Sequence, residues 1–342
     1  MIAEDRRLAP APPLPRIGFL GVGWIGRHRM KALIDAGLVE ATAIADPSHE
    51  MAEEARKLAP EAEILPSLEA LLKSDIDGLV IATPSALHAE QSIAALERGL
   101  AVFCQKPLGR NMDEAGTVVE AARRADRLLG VDLSYRFTEA MAAIREHIAS
   151  GALGSVFAAD LVFHNAYGPD KPWFYDKALA GGGCVMDLGI HLVDLALWAL
   201  DFPQVTSVTS RLHAGGKRVS RPDEVEDFAD ATLVLETGAT VRISCSWRLH
   251  AGRDAEISAR FYGTQGGAGF SNRNGSFYDF GAEAWKGTGS EVLTKPPDDW
   301  GGRAALRWAK RLREDRRFAP EAAELVTVAR VLDEIYRSNM GS

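Results

Sequence analysis

Arg16-Ile17-Gly18-Phe19-Leu20-Gly21-Val22-Gly23-Trp24-Ile25-Gly26 is the stretch of this chain whose reading decides the fold. The run Ile17 to Leu20 reads as a buried strand, the glycines as a turn, and the following residues to about Ala36 as a helix. A second apolar run, Ala41 to Ala45, ends in Asp46 and completes a βαβ unit. The glycine spacing is that of a dinucleotide fingerprint. Gly21 permits the tight turn, Gly23 lets backbone approach a pyrophosphate, and Gly26 lets helix pack on sheet. Trp24 and Ile25 lie between them, at a helix N-terminus that faces the anion. Asp46, roughly 20 residues beyond the glycines, can accept hydrogen bonds from ribose hydroxyls and would repel a 2'-phosphate, which favours NAD over NADP. The competing reading of Asp46 is an exposed turn acid before Pro47, with His49, Arg27 and Arg29 as nearby cations.

The alternation continues outward. Asp77 to Thr83, Ala101 to Cys104 and Leu128 to Leu133 read as strands, and Leu87 to Arg98 and Asp113 to Ala125 as helices. Such alternation predicts a parallel, doubly wound sheet, because parallel strands need long crossovers that helices supply. A ligand is expected at the carboxyl ends of its strands. The whole chain has 342 residues, enough for two domains. We expect a flexible lead-in over 1–15, a nucleotide-binding domain over 16–134 and an α/β domain over 135–340. The last helix, about 320–336, is expected to pack back onto the first domain. A net charge of -8 argues against nucleic acid as the main partner. Three scattered cysteines suggest neither a disulfide set nor a zinc framework, which fits a reducing cytoplasm. The apolar run Leu188 to Leu200 is interrupted by His191 and Asp194 and is too short for a membrane span.

Cys184 to Leu200 is apolar almost all round, as a buried helix is. At about 100° per residue, Asp187, His191 and Asp194 form one polar stripe on it. Buried ionisable groups need partners, water or a ligand, so the stripe is a candidate site; a self-satisfied polar cluster is the competing reading. Gly181-Gly182-Gly183 just before the helix lets a bound molecule approach its N-terminus.

Ile81-Ala82-Thr83-Pro84-Ser85-Ala86-Leu87-His88, Gln105-Lys106-Pro107, and Gly181-Gly182-Gly183 through Asp187-Leu188-Gly189-Ile190-His191 occur in the order found in the glucose-fructose oxidoreductase, inositol dehydrogenase and MocA (Gfo/Idh/MocA) family. The chain resembles that family from about Arg16 to Tyr336. The resemblance implies a Rossmann domain, a second domain with an open, mainly antiparallel sheet, nicotinamide-dependent redox chemistry on a sugar or polyol, and a homodimer or homotetramer. It also places Thr83, Pro84, His88 and Gln105 at the cofactor, and matches Lys106, Asp187 and His191 to the catalytic lysine, aspartate and histidine of the inositol dehydrogenase branch. The chemistry suits these types. Histidine can take the hydroxyl proton at neutral pH, lysine can stabilise alkoxide character, and Asp187 can hold substrate or orient His191. Family members usually carry Glu-Lys-Pro where this chain has Gln105-Lys106-Pro107, and Asn where it has Ser85.

In the second domain, Arg136 follows the last Rossmann strand and is a candidate substrate contact, with a structural ion pair as its alternative. His164 and Trp173 join the substrate candidates because imidazole suits hydroxyls and an indole suits a sugar face. Ala231 to Glu236 and Ala239 to Trp247 read as a hairpin, the acid-rich 222–227 as a solvated loop, and Arg303 to Arg317, with Trp308, as a basic amphipathic segment whose charges form a solvated helix face rather than an anion site. Asp187 and His191 have helical ligand spacing, but no further ligands are evident, so no metal is expected. Two other functions fit the same motifs. One is a glycosidase that keeps its NAD and oxidises transiently, with Tyr135 or Tyr175 as the extra base; the other is a non-catalytic NAD or sugar sensor.

Overall fold

A computed structural model describes residues 13–341, so the expected lead-in lies outside the described residues over 1–12. The first sheet is built from β1 (Arg16–Leu20), β2 (Glu40–Ala45), β3 (Glu63–Ile64), β4 (Gly78–Ile81), β5 (Ala101–Cys104) and β6 (Leu129–Val131). Their order is β3-β2-β1-β4-β5-β6, every pairing is parallel, and strand order reverses between β1 and β4. That reversal opens the crevice where a doubly wound sheet binds its ligand. Between the strands run α1 (Trp24–Asp35), α2 (His49–Arg56), α3 (Leu68–Leu71), α4 (Ser85–Glu97) and α5 (Met112–Ala125). Ser48, Ser67 and Asn111 cap α2, α3 and α5 by accepting from backbone N–H groups one turn in. By contrast α1 and α4 begin at Gly23 and Pro84 with no side-chain cap.

The second sheet has nine strands. They are β7 (Val156–Asn165), β8 (Val205–Ala214), β9 (Lys217–Arg218), β10 (Phe228–Leu235), β11 (Thr240–Ser246), β12 (Ala255–Gly263), β13 (Gly267–Asn272), β14 (Phe280–Lys286) and β15 (Gly289–Thr294). The order is β15-β14-β13-β12-β7-β11-β10-β8-β9, antiparallel except for the parallel β7–β11 pair. Period-two alternation turns Ala159, Leu161 and Phe163 of β7 into the core and leaves Asp160, Val162 and His164 on the opposite face. The core face packs on α6 (Glu139–Ala149) and on the apolar segment that follows the short α7 (Lys177–Ala180). That segment is a π turn, Val185–Gly189, running into α8 (Ile190–Ala199). The stretch Lys177–Ala199 is long and apolar enough to cross a membrane by composition, yet 78% of its apolar window is buried inside the fold.

Two C-terminal helices tie the halves together. As its amphipathic sequence leads one to expect, α9 (Arg303–Glu314) is two-faced, and it buries Ala304, Ala305, Trp308, Ala309 and Leu312 in the core of the first domain. Its arginines line the other face, so the basic residues are there but the helix is a structural part of the nucleotide-binding half. The final helix, α10 (Ala323–Met340), packs Leu325, Val326 and Ala329 against the first domain and Val331, Leu332 and Ile335 into the second.

Candidate active site

A cleft of about 590 Å³ lies beyond the carboxyl ends of β1, β4, β5 and β6 and is closed on its far side by the second domain. The glycine loop forms one wall. Gly21 sits at φ +79°, where a side chain is strained, and a Cβ there would come within 2.7 Å of Ala82 backbone. A Cβ on Gly26 would lie 2.2 Å from the Gly21 carbonyl, whereas one on Gly23 would meet nothing within 4 Å. Gly21 and Gly26 are thus fixed by packing, and Gly23 leaves open space above the uncapped N-terminus of α1. Trp24, Ile25, Thr83 and Pro84 line the same wall, so two uncapped helix N-termini face one space, an arrangement suited to a pyrophosphate. Asp46 stands at the end of β2, its Oδ2 accepting from Val22 N–H at 2.8 Å and its Oδ1 from Ser48 N–H at 2.8 Å. Each oxygen keeps a further lone pair for a ribose hydroxyl. The residues present therefore fit a dinucleotide.

His88 differs from the expected cofactor contact. It is 1% exposed, with Nδ1 2.6 Å from the Pro107 carbonyl and Nε2 2.7 Å from the Thr83 carbonyl. Burial lowers the His88 pKa, and a neutral imidazole has one N–H, so the ring donates to one of these two carbonyls while lying against both cleft-lining loops from beneath. Thr83 spends its hydroxyl on Gln91 Oε1 at 2.6 Å.

Lys106 and Asp187, 81 residues apart in sequence, meet across the cleft. Lys106 Nζ donates to Asp187 Oδ1 at 2.6 Å and to the Asp187 carbonyl at 2.7 Å. Asp187 Oδ2 accepts from Trp247 Nε1 at 3.0 Å, so the carboxylate is held on both oxygens. The structure joins Asp187 to Lys106 and gives it no hydrogen bond to His191. The ring of His191 packs edge-on against Tyr135, 4.8 Å between centroids, and its buried Nδ1 has no hydrogen-bond partner. Burial first, then the charges of Lys106 and Arg29, hold the His191 pKa well below its ordinary value. Its neutral form therefore dominates at pH 7. Burial also pushes the Tyr135 phenol well above its usual value, which unsuits it as a base.

The polar stripe on the apolar helix divides. The π turn rotates successive residues less than an α-turn does, and Asp187 and His191 face the cleft while Asp194 does not. Asp194, 1% exposed, receives Arg136 through both Nε (2.9 and 2.8 Å) and Nη2, and Arg136 also donates to Glu324 at 2.8 Å. Arg136 is thereby corrected from substrate contact to the ion pair weighed as its alternative, and it lines a separate groove with Arg145 and Trp198. His164 is corrected as well. Strand alternation puts it on the sheet face away from His191, where it is stacked parallel to Phe228 and bonded to Ser246 Oγ at 2.8 Å. Trp173 does reach the cleft, stacked on Phe174 with centroids 3.8 Å apart.

The three glycines serve a purpose other than ligand approach. A Cβ on Gly182 would fall 1.8 Å from the Tyr336 hydroxyl and one on Gly183 1.9 Å from the Glu226 carbonyl. Glu226, within the stretch expected to be a solvated loop, is 1% exposed. Its Oε1 accepts from Gly183 N–H, Val185 N–H and the Tyr336 hydroxyl at 2.8 to 3.0 Å, so the protein's own carboxylate occupies this helix N-terminus.

The cleft also contains residues with no local sequence signal. Asp132, Arg29 and Ser134 cluster beside Gln105, and Tyr278, Phe277 and Trp300 add aromatic surface opposite Trp24. Next to Arg136 in sequence, it is Tyr135 that lines the cleft. No group of three or more His, Cys, Asp or Glu placed to hold a metal occurs among the described residues.

Comparison with known proteins agrees with this geometry. Residues 15–133 match the model of an oxidoreductase family with an NAD-binding Rossmann fold, and residues 141–268 match the GFO/IDH/MocA C-terminal domain. A putative UDP-kanosamine synthase oxidoreductase subunit of Amycolatopsis mediterranei is 32% identical over 263 residues, 71% of each chain. An inositol 2-dehydrogenase of Rhodococcus erythropolis is 28% identical over 320 residues, 85% of this chain and 89% of that one. The match to a D-glucoside 3-dehydrogenase of Escherichia coli, at 28% identity, spans 58% of this chain and 60% of that protein. The fold is similar to that of a levoglucosan dehydrogenase solved with NADH and levoglucosan, TM-score 0.81 at 22% identity over 96% of this chain and 98% of that one.

Proposed function

Because the chain belongs to the GFO/IDH/MocA oxidoreductase family, we propose that it is an NAD-dependent dehydrogenase acting on a secondary alcohol, or the corresponding ketone, of a sugar or polyol. The observation that carries this reading is the convergence of Lys106, Asp187 and His191 beside the glycine loop in one cleft.

The dinucleotide, when bound, supplies the two-electron acceptor. The protein's task is the proton and the geometry. Neutral His191 lines the cleft, and its Nε2, which takes no hydrogen bond among the described residues, is the nitrogen available to the proton of the reacting hydroxyl, while the buried Nδ1 keeps the ring N–H. An ammonium has three donors, and Lys106 spends two on Asp187 and leaves the third for the oxygen that gains alkoxide character. Asp187, fixed by Trp247, aims that ammonium. Trp173, Tyr278 and Trp300 provide flat apolar surface for a ring. Asp46 supports NAD as the preferred dinucleotide, since a 2'-phosphate would meet its carboxylate. Assembly as a homodimer or homotetramer rests on the family resemblance alone, and a cytoplasmic setting on the three scattered cysteines.

A panel of polyols, aldoses and glycosides is assayed with NAD and with NADP by absorbance of the reduced nicotinamide. We expect turnover on at least one sugar or polyol, lost in Lys106→Met and His191→Ala. Wild-type turnover in both variants would refute the assignment. Release of a free sugar from glycosides without net NAD reduction would favour the NAD-retaining glycosidase instead.

A further inference from the structure

The residue before Lys106 is an amide where the family resemblance leads one to expect a carboxylate, and the structure contains a reason. Asp132, 1% exposed on the cleft wall, accepts from Arg29 Nε at 2.5 Å and from Gln105 Nε2 at 2.6 Å on Oδ2, and from Ser134 Oγ at 2.6 Å on Oδ1. Arg29 is itself buried and reaches Ser134 Oγ at 3.3 Å and His28 Nδ1 at 2.9 Å. With a guanidinium on Oδ2 and a hydroxyl on Oδ1, the Asp132 oxygens serve as hydrogen-bond acceptors. The Gln105 side chain must therefore give it the NH2 end. The Gln105 carbonyl, which takes no hydrogen bond among the described residues, is then the end left to the cleft that Gln105 lines.

We propose that Asp132, held in place by Arg29, is a positioning residue that fixes the Gln105 amide so that its carbonyl presents a neutral acceptor to a ligand hydroxyl beside Lys106. The negative charge that a carboxylate at 105 would have supplied sits instead at 132, one hydrogen bond further from the ligand. A glutamate at 105 would put two carboxylates in contact, and they could coexist only by sharing a proton. The other charged or titratable groups facing the pair are Arg29 and His28 from α1, Lys106 next in the chain, Cys104 at the end of β5, and His191 across the cleft. The ligand hydroxyl belongs either to the nicotinamide ribose or to the substrate. The proposal rests on the dehydrogenase reading for that ligand, but the pairing itself does not need it.

The experiment uses Gln105→Glu and the double variant Gln105→Glu/Asp132→Asn. Melting temperature is measured from pH 5 to 8 without ligand. The pair raises the folded pKa of one carboxylate, so the folded state holds the extra proton above pH 4.5 and loses stability as pH rises. Gln105→Glu should melt close to wild type at pH 5 and fall progressively behind it toward pH 8, and the double variant should lose that slope. A pH-independent difference between Gln105→Glu and wild type would overturn the proposal. NADH affinity by fluorescence titration and KM for the sugar at saturating NAD form the second readout. A loss of about tenfold, growing over the same pH range, is expected in one of them. A change in NADH affinity assigns the hydroxyl to the cofactor, and a change in KM alone assigns it to the substrate. If both stay at wild-type values while the melting slope appears, the positioning role is refuted. Failure of the wild type to bind NADH would count against the dehydrogenase reading, while the ligand-free slopes would still decide the Asp132–Gln105 pairing.

Discussion

At the scale of single residues, the active-site argument turns on what burial does to His191. Its pKa is held well below 6.5 by burial and by the positive charges of Lys106 and Arg29, so the base form persists through neutral pH. Alcohol oxidation needs that base form. The rate should therefore stay high through neutral pH and fall only on the acid side, as pH drops through a pKa displaced well below the ordinary histidine value. A kcat/KM profile in the oxidative direction tests this, and an acid limb centred near 6.5 would contradict it. In His191→Ala the rate should drop by about 10²- to 10⁴-fold, a range typical of a lost general base. Asp46 allows a second test at this scale. Asp46→Ser removes the charge opposed to a 2'-phosphate and should raise the NADP/NAD ratio of kcat/KM by at least about tenfold. It should also weaken NAD binding, because Val22 N–H loses its acceptor. The glycine fingerprint, Asp46, Asp187 and His191 were legible as candidates from the spacing of their motifs, and Lys106 from the family resemblance of the motif around it. Arg29, Asp132 and Trp247 were not, because each acquires its meaning from a partner 27 or more residues away in sequence.

At the scale of elements, the helix that carries Asp187 and His191 was legible as buried, but its internal geometry was not. An α-periodic reading places Asp194 with the other two, whereas the π turn at Val185–Gly189 turns Asp187 away from Asp194 and toward the line of His191, and Arg136 takes Asp194 at the edge of the stripe. Nothing in an almost uniformly apolar sequence marks where one extra residue enters a turn. The glycines before it were legible as a close approach but not of what, since the approaching groups, Glu226 and Tyr336, come from a loop and from the last helix. Gly183→Ala should cost about 1–3 kcal/mol of stability by denaturant titration, because its Cβ would collide with rigid backbone. Glu226→Gln tests the buried carboxylate. Burial raises its pKa above 4.5 despite the donors around it, so the folded state retains the proton longer than the unfolded chain does. Its contribution is most favourable at low pH and declines as pH rises through the interval from 4.5 to the folded value. The stability of Glu226→Gln relative to wild type should accordingly improve between pH 4.5 and 7. A constant difference would show that the carboxylate does not titrate in that range.

At the scale of the whole molecule, the two sheets and the return of the last helix to the first domain could be read from the sequence, but the place of the helix before it could not. A basic amphipathic segment in an acidic protein reads as a helix with one solvated face, because composition reports which residues tolerate water and not what lies under the apolar stripe. The structure lays that stripe, Ala304, Ala305, Trp308, Ala309 and Leu312, on the nucleotide-binding sheet, with Trp308 against Phe103 at 5.8 Å between centroids. The first domain is thus completed by residues nearly 200 positions beyond its last strand. With α10 returning through both cores, the halves on either side of the cleft are fastened from behind. This arrangement predicts that Trp308→Ala, which empties an indole site beneath the sheet, lowers stability by about 3–5 kcal/mol in urea titration. NADH affinity well below the melting temperature should stay within about twofold of wild type, since Trp308 lines the groove on the other side of β5 and β6 and not the cleft. A variant that kept full stability would mean that α9 is dispensable to the first domain. One that lost cofactor affinity while remaining folded would mean that the back of the sheet is coupled to the active site.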